Sequence, residues 1–189
     1  DWKRLRAGKV TASRVADVVA KTKSGYGASR RNYAAQLVVE RLTGLPTEGF
    51  VSAEMRHGTE CEPQARAAYQ FYADAEVEQI AFVPHPNIQM AGASPDGLVG
   101  ADGLVEIKCP SSATHIETLL GAPIAAEYIT QMQWQMACTG RQWCDFVSFD
   151  PRMPGNMQIF IQRVPRDDKR IAELEEAVAY CDATEVERD

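Results

Sequence analysis

The sequence is short of histidine, paired cysteines and long apolar runs, and each shortage removes a class of function. Its three histidines, His57, His85 and His115, show no metal-binding spacing, so a histidine-built metal centre is not suggested. The five cysteines, Cys61, Cys109, Cys138, Cys144 and Cys181, are odd in number and form no C-x-x-C pair. That pattern offers no disulfide framework, no structural zinc site and no four-ligand set for an iron–sulfur cluster. No stretch reaches the roughly 20 apolar residues of a spanning helix, and the opening Asp1-Trp2-Lys3-Arg4 is not followed by the apolar run of a secretory leader. A cytoplasmic location without membrane contact is the expectation. No internal repeat or low-complexity linker divides the chain, so one domain over residues 1–189 is expected.

What is present is an ordinary globular composition, 45% hydrophobic and 24% charged, with a net charge of −6. The sum argues superficially against nucleic acid, but the charge is unevenly spread. Residues 1–41 carry ten Lys or Arg against Asp1, Asp17 and Glu40, a balance of +7, which leaves −13 for the rest. A basic segment on an acidic body could grip a polyanion locally while the remainder stays soluble. A solvated helix face would give the same numbers.

Periodicity supplies the elements. Thr11-Ala12-Ser13 ahead of Val15, Val18 and Val19 reads as a capped short helix, and Ser29 opens a second with Tyr33, Leu37, Val38 and Leu42 inward before Gly44 ends it. A third is expected over 53–73, with Met55, Ala65, Ala68, Tyr69 and Tyr72 inward, Glu60 and Glu62 on its polar face and a kink or restart at Pro63. Short β-like runs follow at 77–83, 88–93, 97–99 and 104–108, then helices at 113–120 and 124–138, strands at 143–149 and 157–164, and a helix at 167–182. This order predicts an α/β fold with a central mixed β-sheet flanked by α-helices.

The chemistry concentrates in Ser94-Pro95-Asp96-Gly97, a turn at Ala101-Asp102-Gly103, and Glu106-Ile107-Lys108. Glu106 and Lys108 lie two apart on a strand and so share a face. If the strands pair through the turn, Asp96 stands beside Glu106. Two carboxylates at a strand end suit a hard divalent cation, to which the Ile107 carbonyl could add an oxygen. Lys108 on the same face could orient an attacking water or neutralise charge building on a phosphate. By spacing alone the same residues could equally cap a turn and form an edge-strand ion pair.

These motifs resemble the active-site segment of the lambda-exonuclease or YqaJ-type viral recombinase nuclease family, in the PD-(D/E)XK superfamily. Trp2 to Gly8 resembles its W-x-x-L-R-x-G opening and Val10 to Ser13 its [IV]-T-A-S segment. Gly58 with Glu62, Ala65 and Arg66 is similar to its G-x-x-x-E helix; Tyr128, Gln131 and Gln133 to its Y-x-x-Q-x-Q helix; Asp150-Pro151-Arg152-Met153 to its D-P-R-M turn. The resemblance implies a restriction-endonuclease-like fold and a Mg²⁺-dependent 5′-to-3′ exonuclease of double-stranded DNA ends, with Mn²⁺ able to substitute. It implies a homotrimer ring, phage-type recombination and a single-strand annealing protein partner. Asp96, Glu106 and the Ile107 carbonyl would hold the metal, with Glu62 reaching it from the preceding helix. Lys108 and Gln131 would serve the water or phosphate, Arg6 and Ser13 a 5′-phosphate, and Met55 would wedge the strands apart. The 20s loop, Thr22 to Gly25, and the run after Pro110 depart from the family pattern. Two other functions remain open: an endonuclease of the same catalytic type, and a non-catalytic DNA-end clamp recruiting an annealing protein.

Overall fold

The structure is a computed structural model that describes residues 2–23, 25–47, 49 and 51–186, with Trp2 described in its backbone only. The ends of the expected 1–189 domain and Ser24 of the 20s loop lie outside the described residues.

A five-stranded mixed sheet forms the centre, built from β4 (Val77–Glu78), β7 (Gly97–Val99), β8 (Gly103–Lys108), β9 (Trp143–Phe149) and β10 (Ile159–Pro165). The strand order is β10-β9-β8-β7-β4, with β8 and β9 parallel and the other pairs antiparallel. A smaller sheet joins β1 (Val10–Thr11), β6 (Ala91–Ala93) and β5 (Val83–Pro84), and a two-stranded ribbon joins β2 (Lys21–Thr22) and β3 (Gly25–Tyr26).

The period-two pattern of β8 decides what each face carries. Val105 and Ile107 point to the side covered by α4 (Ala53–Ala73), where Cys61, Ala65 and Tyr69 pack with Val147 and Phe149. Leu104 points to the other side, where Met132 and Met136 of α6 (Ala126–Thr139) pack with Cys144, Phe146 and Val164. Helix α6 is buried on nearly every side. Its far surface, through Trp134 and Cys138, meets the N-terminal elements α2 (Val15–Val19) and α3 (Ala28–Thr43) and the C-terminal α7 (Asp168–Cys181). A helix walled in this way is favoured by apolar side chains on every face, so each buried amide it carries needs a specific partner.

Local chemistry explains several boundaries. Ser52 caps α4 by accepting from the Met55 N–H at 3.1 Å, and Gly44 closes α3 in the left-handed region at φ 66°. Helix α4 runs unbroken through Pro63. Its apolar stripe is Cys61, Ala65 and Tyr69; Met55 and Tyr72, expected inward, sit in its first and last turns and are 58% and 57% exposed. The strand expected over 77–83 is divided, because Val77–Glu78 pairs with β7 whereas Val83–Pro84 pairs with β6. The run from Ile88 shortens to three residues because His85 Nδ1 accepts from the Asn87 and Ile88 N–H groups and bends the chain into a turn. Thr11 does not cap a helix with its side chain: it is extended and buried in β1, with its N–H donated to Tyr33 Oη, and Ala12–Arg14 forms a 3₁₀ turn. The helix expected at 113–120 is α5, Ser112–Leu119; beyond the sequence expectations, α1 covers Trp2–Arg6, and a π-helical turn, Asp182–Val186, extends α7. That turn is anchored through the Arg41–Asp182 and Arg30–Glu185 ion pairs.

Candidate active site

The β7–β8 hairpin delivers both acids. Gly97 pairs with Val105, and continuing that register sets Asp96 beside Glu106. Asp96 Oδ2 accepts from the Ile107 N–H at 2.7 Å, which ties the turn before β7 to the strand bearing Glu106. Glycine is required at position 97 because a Cβ there would stand 2.1 Å from a Val77 methyl.

Glu106, between Leu104 and Lys108 on the α6 face, is only 2% exposed. A buried carboxylate survives only with partners. Its Oε1 lies 2.6 Å from Lys108 Nζ and accepts from Gln131 Nε2 at 2.8 Å, while its Oε2 accepts from Gln135 Nε2 at 2.7 Å. Lys108 also donates to Gln131 Oε1 at 3.2 Å, closing a three-membered ring, and its ammonium lies 4.5 Å from the centre of the Tyr128 ring. Burial pulls the Lys108 pKa down, but the charge and hydrogen bond of Glu106, with Asp96 adding, hold it above the ordinary lysine value. Lys108 is therefore held as a cation. Asp96 is pushed well above the usual carboxylate range, first by burial and then by the charge of Glu106, with Glu62 adding; the Ile107 N–H and Lys108 oppose the shift.

That mutual repulsion is what a cation would relieve. All the donors are oxygens, and two carboxylates with retained waters are enough for a small hard ion. Among the described residues, no group of three His, Cys, Asp or Glu side chains gathers closely enough to ligate one. The third expected acid, Glu62, is paired instead with Arg66, one turn further along α4. The residues fit a divalent cation held by Asp96 and Glu106, with Glu62, which lines the same cleft while its Oε1 pairs with Arg66, near enough to act on Asp96.

The expected residues converge on one cleft of about 550 Å³, lined among others by Arg6, Ser13, Met55, Glu62, Asp96, Glu106, Ile107, Lys108 and Gln131. Arg6 reaches it from the end of α1 and Ser13 from the 3₁₀ turn. Burial lowers the Arg6 pKa while Tyr33 and Glu40 act to raise it. The loop behind Arg6 is clamped from both sides. Glu40 Oε2 accepts from the Gly8 N–H at 2.7 Å and Arg41 Nε donates to the Gly8 carbonyl at 2.9 Å. Gly8 has φ 70°, and a Cβ there would meet Arg41 Cγ at 2.7 Å. Behind the site, Asp150 accepts from Arg152 Nε at 2.7 Å and from Ser112 Oγ at 2.6 Å, and Arg152 reaches the Pro110 carbonyl at 3.1 Å. Burial would raise Asp150, but these donors hold it down at about 2. The D-P-R-M turn thus fastens the chain as it leaves Lys108.

Two further glutamines of α6 carried no assigned role in the sequence reading. Gln133, within the Y-x-x-Q-x-Q pattern, points away from the cleft, donating to the Pro165 carbonyl and accepting from the Asp167 N–H, both at 2.9 Å. Gln135 was missed, although Gln131 and Gln135 are four apart and so share a helix face; that spacing was the available signal.

A mixed sheet with helices on both faces, two acids and a lysine at the ends of a central hairpin, and anion-compatible groups at the rim define a restriction-endonuclease-like α/β fold with an enzyme-type cleft. The YqaJ-like viral recombinase domain matches residues 1–142, and the chain belongs to that family. An alkaline exonuclease from Laribacter hongkongensis superposes with a TM-score of 0.90 at 53% identity, over 96% of this chain and 90% of its own. The same enzyme in complex with dAMP matches equally well. A phage-related exonuclease from Haemophilus somnus 129PT shares the fold, with a TM-score of 0.68 at 16% identity over 96% of this chain and 95% of its own. No curated protein sequence matches the chain. Among the described residues no helix is long and apolar enough to cross a membrane.

Proposed function

We propose that this chain is a DNA exonuclease that hydrolyses one strand of a duplex from its 5′ end, using Mg²⁺ with Mn²⁺ as a substitute. The observation that carries the reading is the buried Glu106 carboxylate, gripped by Lys108 and Gln131 beside a destabilised Asp96, on the floor of a cleft shared with Arg6 and Ser13. The alkaline exonuclease at 53% identity supports the same chemistry here.

A bound divalent ion would activate a water and offset charge on the scissile phosphate. Asp96 and Glu106 would hold it, with the Ile107 carbonyl and Glu62. Lys108, protonated and fixed by Glu106 and Gln131, lends positive charge to the phosphate as negative charge builds on its oxygens. Gln131, an amide with one end on Glu106 and the other on Lys108, orients the attacking water or a phosphate oxygen. Arg6 offers a planar fork to a terminal 5′-phosphate, and the Ser13 hydroxyl adds a hydrogen bond. Met55, exposed at the cleft mouth, is an apolar wedge that separates the terminal bases. The exposure supports this role over core packing.

The enzyme would work as a homotrimer ring threaded by DNA, feeding 3′ single strands to an annealing protein in phage-type recombination, in the host cytoplasm. Digestion of end-labelled linear duplex tests the reading against covalently closed circles, with Mg²⁺ and with EDTA. Mg²⁺-dependent loss of the linear substrate alone is expected. Cutting of closed circles would instead indicate an endonuclease, and end binding that persists in EDTA without any digestion would indicate a clamp.

A further inference from the structure

Two amides hold Glu106, but only one of them faces the cleft. Gln131 lines the opening and shares Oε1 of Glu106 with Lys108. Gln135, one turn on, is fully buried and donates to Oε2 at 2.7 Å. The opposite end of the same amide, Gln135 Oε1, is buried without a hydrogen-bond donor. An unsatisfied buried carbonyl costs free energy that an apolar side chain of similar volume would not. Packing therefore does not account for a glutamine at this point of a helix whose neighbours Met132 and Met136 are apolar and buried; the bond to Glu106 does.

We infer that Gln135 is a positioning residue for Glu106: it ties Oε2 back against α6 so that Oε1 is the oxygen presented to the cleft. A neutral donor suits this task. A lysine or arginine would fix the carboxylate but cancel its charge, whereas an amide fixes it and leaves the charge available. The inference rests on Glu106 being a ligand of the proposed divalent ion.

Gln133 supplies a matched control. It is a second buried amide on the same helix, and its partners are the Pro165 carbonyl and the Asp167 N–H rather than Glu106. The experiment is calorimetric titration of Mn²⁺, without DNA, into the unaltered protein and into Gln135→Leu, Gln135→Met and Gln133→Leu, each checked for folding by its thermal transition. The two Gln135 variants are expected to bind Mn²⁺ roughly ten- to a hundred-fold more weakly, and the Mn²⁺ needed for half-maximal digestion should rise in step. Gln133→Leu should lose thermal stability but keep the affinity of the unaltered protein. Affinities within twofold of the unaltered protein in the folded Gln135 variants, or an equal loss in Gln133→Leu, would overturn the inference while leaving the metal reading intact. No Mn²⁺ binding by the unaltered protein would overturn both.

Discussion

Replacing Lys108 by alanine removes the cation that faces both acids, and two separable effects follow. The first is on rate. A donor aimed at charge that develops in the transition state contributes about 2.7–4 kcal/mol, so turnover at saturating metal should fall about 10²- to 10³-fold. The second is on stability. Removing one partner of a buried pair costs about 3–5 kcal/mol when the other is left uncompensated. Lys108 is a quarter exposed and Glu106 keeps both glutamine amides, so the loss should fall at or below the lower end of that range. A divalent ion would replace the missing charge. Saturating Mg²⁺ should therefore raise the melting temperature of Lys108→Ala by more than it raises that of the unaltered protein; binding at a hundred times Kd contributes about 2.7 kcal/mol. The assays are single-turnover digestion of a 5′-phosphorylated duplex and thermal unfolding with EDTA or Mg²⁺. Turnover within tenfold of the unaltered protein, or a thermal gain no larger than its own, would refute the role assigned to Lys108.

Asp96→Asn should raise the melting temperature of the metal-free protein and abolish digestion. The folded Asp96 binds its proton more tightly than the unfolded chain does, so its own contribution to stability is lost as pH rises above the ordinary carboxylate range and is regained on acidification. Thermal scans in EDTA across pH should show the stability gained by the variant over the unaltered protein growing as pH rises through that range. Arg6→Ala should lower kcat/KM on 5′-phosphorylated ends by roughly ten- to a hundred-fold, the value of a charge-assisted hydrogen bond, and affect 5′-hydroxyl ends little; equal loss on both ends would count against the phosphate role. Gly97→Ala places a methyl against Val77 and Val105, which should destabilise the fold by about 1–3 kcal/mol and, by displacing Asp96, weaken Mn²⁺ binding measured by calorimetry.

Much of this was legible in the sequence because period and punctuation are local properties. Helix 53–73 keeps its expected bounds, which the Ser52 cap and the left-handed Asp74 set through short-range chemistry. The shared face of Glu106 and Lys108 follows from strand alternation alone. What was not legible depends on partners distant in sequence. Nothing local divides 77–83 between two sheets, since that follows from where β6 and β7 lie. The strand 88–93 shortens because a histidine side chain accepts two backbone N–H groups, which periodicity does not register. Gln135 was passed over because on a helix buried all round, amphipathic pattern no longer marks a polar face; only its spacing from Gln131 did. Glu62 was assigned by resemblance to the metal, and its ion pair with Arg66 follows from their places four apart on one helix.

The most direct measurement is the anomalous difference map of a crystal soaked in Mn²⁺. A peak bonded to carboxylate oxygens of both Asp96 and Glu106, with Lys108 Nζ drawn back from Glu106 Oε1, is the expected result. A protein that degrades DNA ends while showing no peak there, or a peak held by other side chains, would contradict the assignment of this pair as the metal-binding centre.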